Sequence, residues 1–267
     1  MKRVLSGAII FVVVFLVLLL GNIYVVDVFI GAMALISTYE LYKAFEKKKY
    51  HPIKWIGYAT SIGLCFLHVV PREYIYAYLL ALIVFSIIAA FSTTIVKFKK
   101  IRIADIAVTI LGICYIDLMI MFLSLIRALD NGKLLVWYIF ICAWATDVFA
   151  LVFGLLLGKH HFTEVSPKKT IEGSIGGTVM AIICMTIYTV IINNAAGLTI
   201  NVGLIAIFSL FISFIGQVGD LAASVIKRYV EVKDYGNLIP GHGGMLDRID
   251  SLLFIAPVTY LCLLFLI

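Results

Sequence analysis

The residues best suited to chemistry lie in and just before one polar stretch, residues 224–250, which separates two apolar segments near the C-terminal end. Carboxylate oxygens suit Mg²⁺, which proteins usually hold with a few carboxylates and the phosphate oxygens of a substrate. Lysine and arginine neutralise phosphates. Together, around flexible glycines, these groups indicate metal-assisted phosphoryl or nucleotidyl transfer. The charged candidates are Asp220, Asp234, Asp247, Asp250, Lys227, Arg228, Lys233 and Arg248.

A second polar segment, residues 158–173, precedes another apolar run. Ser166 and Pro167 favour a turn, Lys168 and Lys169 supply positive charge, and Gly173 lets the backbone approach a ligand closely. Lysines beside the exposed N–H groups of a helix N-terminus suit phosphate. Two lysines after a proline are equally typical of a positively charged anchor at a membrane surface, so this signal alone leaves both interpretations open.

The apolar segment before residue 224 carries a polar stripe at helical spacing. Because its members are three or four residues apart, they share one face of a helix. Such a stripe forms either a hydrogen-bonded seam between membrane helices or the wall of a hydrophilic cavity. We favour a cavity, since the stripe ends in the cationic stretch. The stripe consists of Ser213, Gln217, Asp220, Ser224 and Lys227.

Ionisable residues inside a membrane are costly and are therefore functional candidates. Asp147 lies in the middle of the apolar run that leads into residues 158–173, which makes it a second carboxylate for the same cavity. Glu40 lies near one end of its apolar run, where it can simply reach the interface. Asp117 lies far from both polar segments, and structural hydrogen bonding is as good an explanation for it as function.

The composition predicts an all-α integral membrane protein. Hydrophobic residues make up 63% of the chain, charged residues 13%, and the mean hydropathy is +1.12. The apolar runs reach the roughly 18 residues that a membrane helix needs and lack the alternation of a membrane barrel. We expect about nine transmembrane helices and a polar cavity open to the cytoplasm. The predicted spans are residues 4–20, 25–42, 55–70, 74–96, 104–126, 134–157, 174–193, 201–226 and 251–267.

The basic residues predict the orientation. With the N-terminus inside, only Arg72, Arg127 and Lys133 of the 21 lysines and arginines fall in outside segments. Membrane proteins concentrate Lys and Arg in cytoplasmic loops. We therefore expect a multi-pass protein of the cell membrane whose N-terminus and whose two polar segments are cytoplasmic. The chain reads as one polytopic domain, 1–267, with N-terminal helices in 1–130 and catalytic helices and loops in 134–267.

Residues 224–250 also carry an extended motif. It runs Ser224-x-Ile226-Lys227-Arg228, then, after four residues, Lys233-Asp234-x-Gly236-x-x-Ile239-Pro240-x-His242-Gly243-Gly244-Met245-x-Asp247-Arg248-Ile249-Asp250. This pattern resembles the signature of the CDP-diacylglycerol synthase (phosphatidate cytidylyltransferase) family. The block SPKKTIEG, from Ser166 to Gly173, and Asp147 with Ala150 and Gly154 resemble further family motifs. Leu151 departs from the family, because an aromatic residue is expected there.

The resemblance implies that the chain converts CTP and phosphatidate to CDP-diacylglycerol and pyrophosphate, with Mg²⁺ present as one cation or as one of two. It implies metal binding by Asp220 and Asp247, with Asp147 and Asp234 in support, and catalytic roles for Asp220, Lys227, Asp247 and Asp250. His242 is expected to bind phosphate or to orient a ligand, and not to act as a base. The implied substrate-binding residues are Ser166, Lys168, Lys169, Ser224, Arg228, Lys233, His242, Gly243, Gly244 and Arg248.

Two other functions fit the same features. A CTP-dependent lipid or polyprenol kinase would also need basic loops and acidic metal ligands. An ion-coupled transporter would use Asp147 and Asp220 as coupling sites, but it often shows interrupted helices in corresponding halves, and no such pair is visible. We expect contact with membrane lipids and no nucleic-acid partner, and a homodimer stays open.

Overall fold

The chain is helical. The computed structural model describes residues 12–161, 163, 165–238 and 243–266. Within these ranges no strand occurs, and the only β-type pairing is an isolated antiparallel bridge between His161 and Thr170. This confirms the predicted all-α class.

Residues 12–20 are helical and precede the helices that are numbered below. A 3₁₀ turn at Arg72–Tyr74 precedes α3, and a π-helical turn at Ile113–Asp117 joins α4 to α5. The labelled helices are α1 (Ile23–Glu46), α2 (Lys54–Leu64), α3 (Ile75–Val96), α4 (Ile103–Gly112), α5 (Leu118–Arg127), α6 (Gly132–Leu135), α7 (Trp137–Leu157), α8 (Ile171–Ala196), α9 (Val202–Tyr229) and α10 (Leu246–Leu264).

Several described helical stretches are long and apolar enough to cross a membrane, which is the architecture of a multi-pass membrane protein. There are six: Ile23–Glu46, Arg72–Val96, Ile103–Arg127, Gly132–Leu157, Ile171–Ala196 and Val202–Tyr229. Each overlaps a predicted span.

The other three predicted spans fare differently. The span 4–20 lies largely outside the described residues. The segment 55–70 forms only the 11-residue helix α2, which at 1.5 Å per residue covers roughly half of a hydrocarbon core of about 30 Å. The span 251–267 overlaps α10, which begins earlier, ends at Leu264 and includes Asp247, Arg248 and Asp250. A count of nine therefore stays a prediction.

The chain divides into two compact units. The first unit contains Met1–Ser124 and Lys227–Ile249, and the second contains Leu125–Ile226 and Asp250–Ile267. The α9–α10 loop, residues 230–245, thus belongs to the same unit as the N-terminal helices, although the motif that it carries was recognised as a C-terminal feature.

Three connecting segments of the first unit meet at one end of that unit. Arg102 donates a hydrogen bond to the carbonyl of Lys49, and the backbone N–H of His51 donates to Asp105 Oδ1 at 2.7 Å. Lys48 Nζ lies 2.5 Å from Glu231 Oε1. The basic segments at 43–54 and 97–102 therefore lie on the same side as the start of the α9–α10 loop.

In the second unit, α7 and α8 pack closely because α8 presents glycines. A Cβ atom added to Gly173 would lie 2.5 Å from the carbonyl oxygen of Ala150, and one added to Gly177 would lie 2.6 Å from that of Thr146. Small residues allow membrane helices to approach this closely. The packing brings the Asp147 turn of α7 beside the first turns of α8.

Candidate active site

The second unit contains a cavity of about 280 Å³ between α7, α8, α9 and the segment that precedes α8. Four predicted site residues, Asp147, Ser166, Lys168 and Lys169, lie in its wall, although the rest of α7 and a loop separate Asp147 from the other three in the sequence. The cavity is lined by Thr146, Asp147, Ala150, Leu151, Ser166, Lys168, Lys169, Thr170, Ser174, Gln217 and Leu221.

Asp220 joins this group through an ion pair. The carboxylate of Asp220 contacts the ammonium of Lys169, and the two side chains are 28% and 33% exposed. An ion pair in that environment is weak, because water competes for both partners. The Lys169 ammonium can therefore leave Asp220 to bind a phosphate, and the Asp220 carboxylate can bind a cation instead.

The first turn of α8 adds backbone donors to the same wall. Thr170 is the N-cap of α8, and its Oγ1 accepts a hydrogen bond from the N–H of Gly173 at 3.2 Å. Lys168 and Lys169 immediately precede this positive helix end, which favours anions. The sequence predicted this combination, and the structure places it at a cavity.

The polar stripe on α9 has two parts. On the two turns of α9 that precede Asp220, Ser213 Oγ lies 2.8 Å from Thr146 Oγ1, and Gln217 Nε2 donates to Thr178 Oγ1 at 2.9 Å. Ser174 Oγ also donates a hydrogen bond to the side-chain oxygen Oε1 of Gln217. This part is a hydrogen-bonded seam, the interpretation that we did not favour. At the Asp220 level the stripe meets the cavity group, so each interpretation describes a part of it.

Thr146, Ser174 and Thr178 were missed as partners of the stripe. Each is a small hydroxyl residue on a helix that the sequence marks mainly as apolar. Thr146 directly precedes Asp147, and Ser174 and Thr178 lie four residues apart on one face of α8. That spacing was the available signal.

The first unit holds the motif residues of the α9–α10 loop around the carboxylate of Asp247. Its Oδ1 lies 3.0 Å from Lys227 Nζ, and its Oδ2 accepts hydrogen bonds from the N–H groups of Tyr235 at 2.8 Å and Gly244 at 3.0 Å. The side chains of Lys227 and Asp247 are only 15% and 3% exposed. Asp247 therefore holds both sides of the loop to the end of α9.

Gly243 fits into this arrangement only as glycine. Its φ is +83°, and an added Cβ atom would lie 2.9 Å from Asp247 Oδ2. The same atom would lie 3.4 Å from the Cβ of Asp234, which is exposed. The glycine motif thus serves the close approach of the loop backbone to the Asp247 carboxylate.

The sequence assigned Glu40 no role in this site. Its side chain reaches from α1 to the first turn of α10, where Oε1 accepts from the N–H of Met245 at 3.0 Å and Oε2 from the N–H of Leu246 at 2.9 Å. We expected Glu40 to reach the membrane interface. Instead it is buried and satisfies backbone donors that the start of a helix leaves unpaired.

The remaining predicted residues fall at separate places. Arg228, Lys233 and Arg248 are exposed in the first unit, while Ser224 is half-buried in the second. Asp250 is buried in the second unit, where its Oδ1 accepts from the N–H of Ser251 at 2.8 Å. His242 lies outside the described residues.

A second cavity, of about 560 Å³, lies in the first unit beside the α9–α10 loop. Its wall combines aliphatic residues and Gly236 with Glu40, Lys43, Asn237 and three tyrosines. It is lined by Leu35, Ile36, Tyr39, Glu40, Lys43, Tyr58, Tyr235, Gly236, Asn237 and Leu238.

Comparison with known proteins identifies the family of the chain. The model of the family described as "Cytidylyltransferase family" matches residues 1–266. The chain belongs to this family. It is 32% identical to "Phosphatidate cytidylyltransferase" of Bacillus subtilis (strain 168), over 98% of this chain and 97% of the relative. It is 34% identical to the protein of that name in Staphylococcus aureus (strain COL), over 96% of each chain. The match therefore extends well beyond the motifs, into the N-terminal helices.

Proposed function

We propose that this protein is a phosphatidate cytidylyltransferase, a nucleotidyltransferase that makes CDP-diacylglycerol for phospholipid synthesis. A phosphate oxygen of phosphatidate attacks the α-phosphorus of CTP. The bond from that phosphorus to the bridging oxygen of the β-phosphate breaks, and pyrophosphate leaves. A phosphate monoester has its second pKa near 6, so at pH 7 the nucleophile is already mostly ionised and needs no general base.

The observation that carries the proposal is the cavity of the second unit. Lys168, Lys169 and the capped N-terminus of α8 offer cationic and N–H groups to phosphate, and Asp220 and Asp147 add carboxylates beside them. Cations and carboxylates around one opening suit a polyphosphate that carries a metal ion. The cavity belongs to apolar membrane helices, where the second substrate, a lipid, is dissolved.

The α9–α10 loop of the first unit supplies the other group of motif residues. Asp247 pairs with Lys227 and accepts a hydrogen bond from the loop backbone. We therefore assign these two residues the role of holding the loop in its conformation. Arg228, Lys233 and Arg248 are exposed and lie in or next to this loop. We assign these three the binding of substrate phosphates, as the motif resemblance implies.

We propose Mg²⁺ as the cofactor. No group of three or more His, Cys, Asp and Glu residues is assembled for a metal among the described residues. Mg²⁺ needs no such group, because one or two carboxylates and substrate phosphates usually hold it. Asp220 and Asp147 fit that role. Asp247 fits it less well, since both of its oxygens accept hydrogen bonds. When bound, the ion would neutralise phosphate charge and make the α-phosphorus easier to attack.

The test uses purified protein with phosphatidate in mixed micelles, CTP and Mg²⁺. With CTP labelled in the α-phosphate, we expect labelled lipid and unlabelled pyrophosphate in equal amounts. With CTP labelled in the γ-phosphate, we expect label only in pyrophosphate. Label from the γ-phosphate in the lipid would instead identify a lipid kinase and overturn the proposal. Lys159→Gln, which removes an exposed lysine outside the cavity wall, is the control variant.

The loops that carry the motifs are proposed to face the cytoplasm. Positive charge and the meeting of the segments 43–54, 97–102 and the start of the α9–α10 loop at one end of the first unit support this. Single cysteines at Lys48, Val165 and Leu238, in a background without native cysteines, should all react with an impermeant reagent only from the cytoplasmic side. Outside labelling of Val165 or Leu238 would contradict the orientation. The homodimer stays a prediction that light scattering in detergent can check.

A further inference from the structure

We infer that Glu40 is a positioning residue for the catalytic motif, acting on the α9–α10 loop from helix α1. This inference rests on the proposed cytidylyltransferase activity and adds to it a residue far from the motif in sequence. Glu40 touches no substrate in this role. It holds the first turn of α10 in the place where Asp247 meets its partners.

Both oxygens of the Glu40 carboxylate accept hydrogen bonds from the backbone. Its two oxygens accept from consecutive N–H groups, those of Met245 and Leu246, at 3.0 and 2.9 Å. The residue is 4% exposed. A buried carboxylate is tolerated only where such bonds replace its hydration. Its negative charge also lies at the positive N-terminus of α10, which strengthens both bonds.

The loop is shaped around this carboxylate. A Cβ atom added to Gly236 would lie 2.4 Å from Glu40 Oε1, and one added to Gly244 would lie 2.4 Å from Glu40 Oε2. Neither glycine has a positive φ, so their backbone conformations are open to other residues. What requires glycine at these two positions is the space that the Glu40 carboxylate occupies.

The Glu40 contacts are continuous with those of Asp247. Glu40 binds the N–H groups of Met245 and Leu246, and Asp247 follows directly and binds those of Gly244 and Tyr235. Two carboxylates thus hold one segment of backbone from two sides. If Glu40 is lost, the first turn of α10 is free to shift, and the Asp247–Lys227 pair shifts with it. Displacements of about 1 Å at reacting groups can cost on the order of 100-fold in rate.

The kinetic test compares two glutamates of the same helix. Glu40→Gln keeps the size of the side chain but places an amide NH₂ against one of the two backbone donors. We expect kcat to fall on the order of 10- to 100-fold while KM for CTP and for phosphatidate stays within about twofold. Glu46→Gln makes the same chemical change six residues later, where Glu46 pairs with the side chain of Lys54 at 2.7 Å. We expect that variant to keep wild-type kinetics.

Hydrogen exchange gives a readout that is independent of activity. In Glu40→Gln, the amides of Met245 and Leu246 should exchange faster than in the wild type, while those in the middle of α10 stay protected. Unchanged exchange at these two amides would overturn the inference even if activity were lost.

Gly236→Ala, which leaves Glu40 in place, covers the case in which Glu40→Gln fails to fold, and a double-mutant cycle extends it where Glu40→Ala folds. Gly236→Ala should impair turnover in the wild-type background, because the new methyl group meets the Glu40 carboxylate. In the Glu40→Ala background the same substitution should cost little, since the obstacle has gone. Additive effects of the two substitutions would show that the contact does not govern the loop.

The outcomes separate this inference from the proposed function. If wild-type protein makes no CDP-diacylglycerol, the proposed function fails, while exchange at Met245 and Leu246 still tests the contact. If the wild type is active and Glu40→Gln retains its kcat, the positioning role fails alone. A raised KM for phosphatidate with unchanged kcat would instead make Glu40 a wall of the lipid site and would also overturn the positioning role.

Discussion

The two units each contain a lysine–aspartate pair from the motifs, and the two pairs differ in their access to water. In the first unit, the Lys227 and Asp247 side chains are 15% and 3% exposed, and Asp247 also binds two backbone N–H groups. In the second unit, the Lys169 and Asp220 side chains are 33% and 28% exposed, and Lys169 lines a cavity. We call these the closed pair and the open pair.

The difference separates two tasks that the motif pattern alone makes look alike. Breaking a buried pair leaves a charge without compensation, so the closed pair stabilises a particular loop shape. An exposed pair contributes little to stability, and its members can bind other partners. The closed pair therefore suits positioning, and the open pair suits binding. Substitutions of these residues test that distinction.

The largest effect is expected at the closed pair. Asp247→Asn should destabilise the loop by about 3–5 kcal/mol, because Lys227 loses the carboxylate with which it pairs and an amide nitrogen faces backbone donors. Turnover should fall on the order of 100-fold or more. Thermal unfolding in detergent and initial rates measure both effects.

A second substitution decides whether the charge is the cause. Removing both partners, in Asp247→Asn with Lys227→Met, should recover part of the stability that Asp247→Asn loses, since no unpaired ammonium is left. Activity should not return. If the double variant is less stable than Asp247→Asn by the full effect of Lys227→Met alone, the pair is not coupled as described.

At the open pair, Asp220→Asn should separate activity from stability. We expect kcat to fall on the order of 10- to 100-fold, with the free energy of unfolding changed by less than about 1 kcal/mol. A Mg²⁺ titration should show a raised requirement for the ion. Near wild-type rates at every Mg²⁺ concentration would remove Asp220 from the proposed metal site.

The lysines of the cavity should act mainly on binding. Lys168→Gln with Lys169→Gln removes two solvent-accessible charges, each worth up to about 1 kcal/mol to a bound phosphate, so KM for CTP should rise about tenfold with a smaller change in kcat. Lys159→Gln is the matched control. Both substrates must be varied in mixed micelles, since dilution of the lipid at the micelle surface can imitate a KM effect. A loss of kcat with both KM values unchanged would reverse the assigned role.

The sequence predicted the helical class, and it singled out the charged residues around the open pair as candidates. Membrane helices reveal themselves by length and hydropathy, and Asp147, Lys168 and Lys169 stand out because charge is rare or clustered near an apolar run. The charged residues that the structure brings to this cavity were therefore already candidates, whereas Thr146 and Ser174 were not.

The sequence could not show how α9 and the α9–α10 loop are packed. Glu40 lies more than 200 residues from its partners Met245 and Leu246, and no periodicity reports such a contact. Helix α2 was taken for a span because residues 65–70 continue its apolar run, yet the helix ends at Leu64. Asp117 looked equally suited to function or structure, and its Oδ1 accepts from Ser61 Oγ at 2.7 Å, a structural contact.

The smallest effect is expected at the N-terminal caps of α8 and α10, which differ in where the capping side chain comes from. Helix α10 is capped by Glu40 from another helix, whereas α8 is capped by its own Thr170. A local cap is worth about 1 kcal/mol, and its loss does not displace a distant element. Thr170→Val should therefore lower the free energy of unfolding by about that amount and change kcat by less than about threefold.

Thr170→Ser, which keeps the hydroxyl and loses the methyl group, should restore the stability. If Thr170→Val reduced kcat as strongly as Glu40→Gln, the N-terminus of α8 would have to belong to the reacting site itself, and the division between a binding unit and a positioning loop would be wrong.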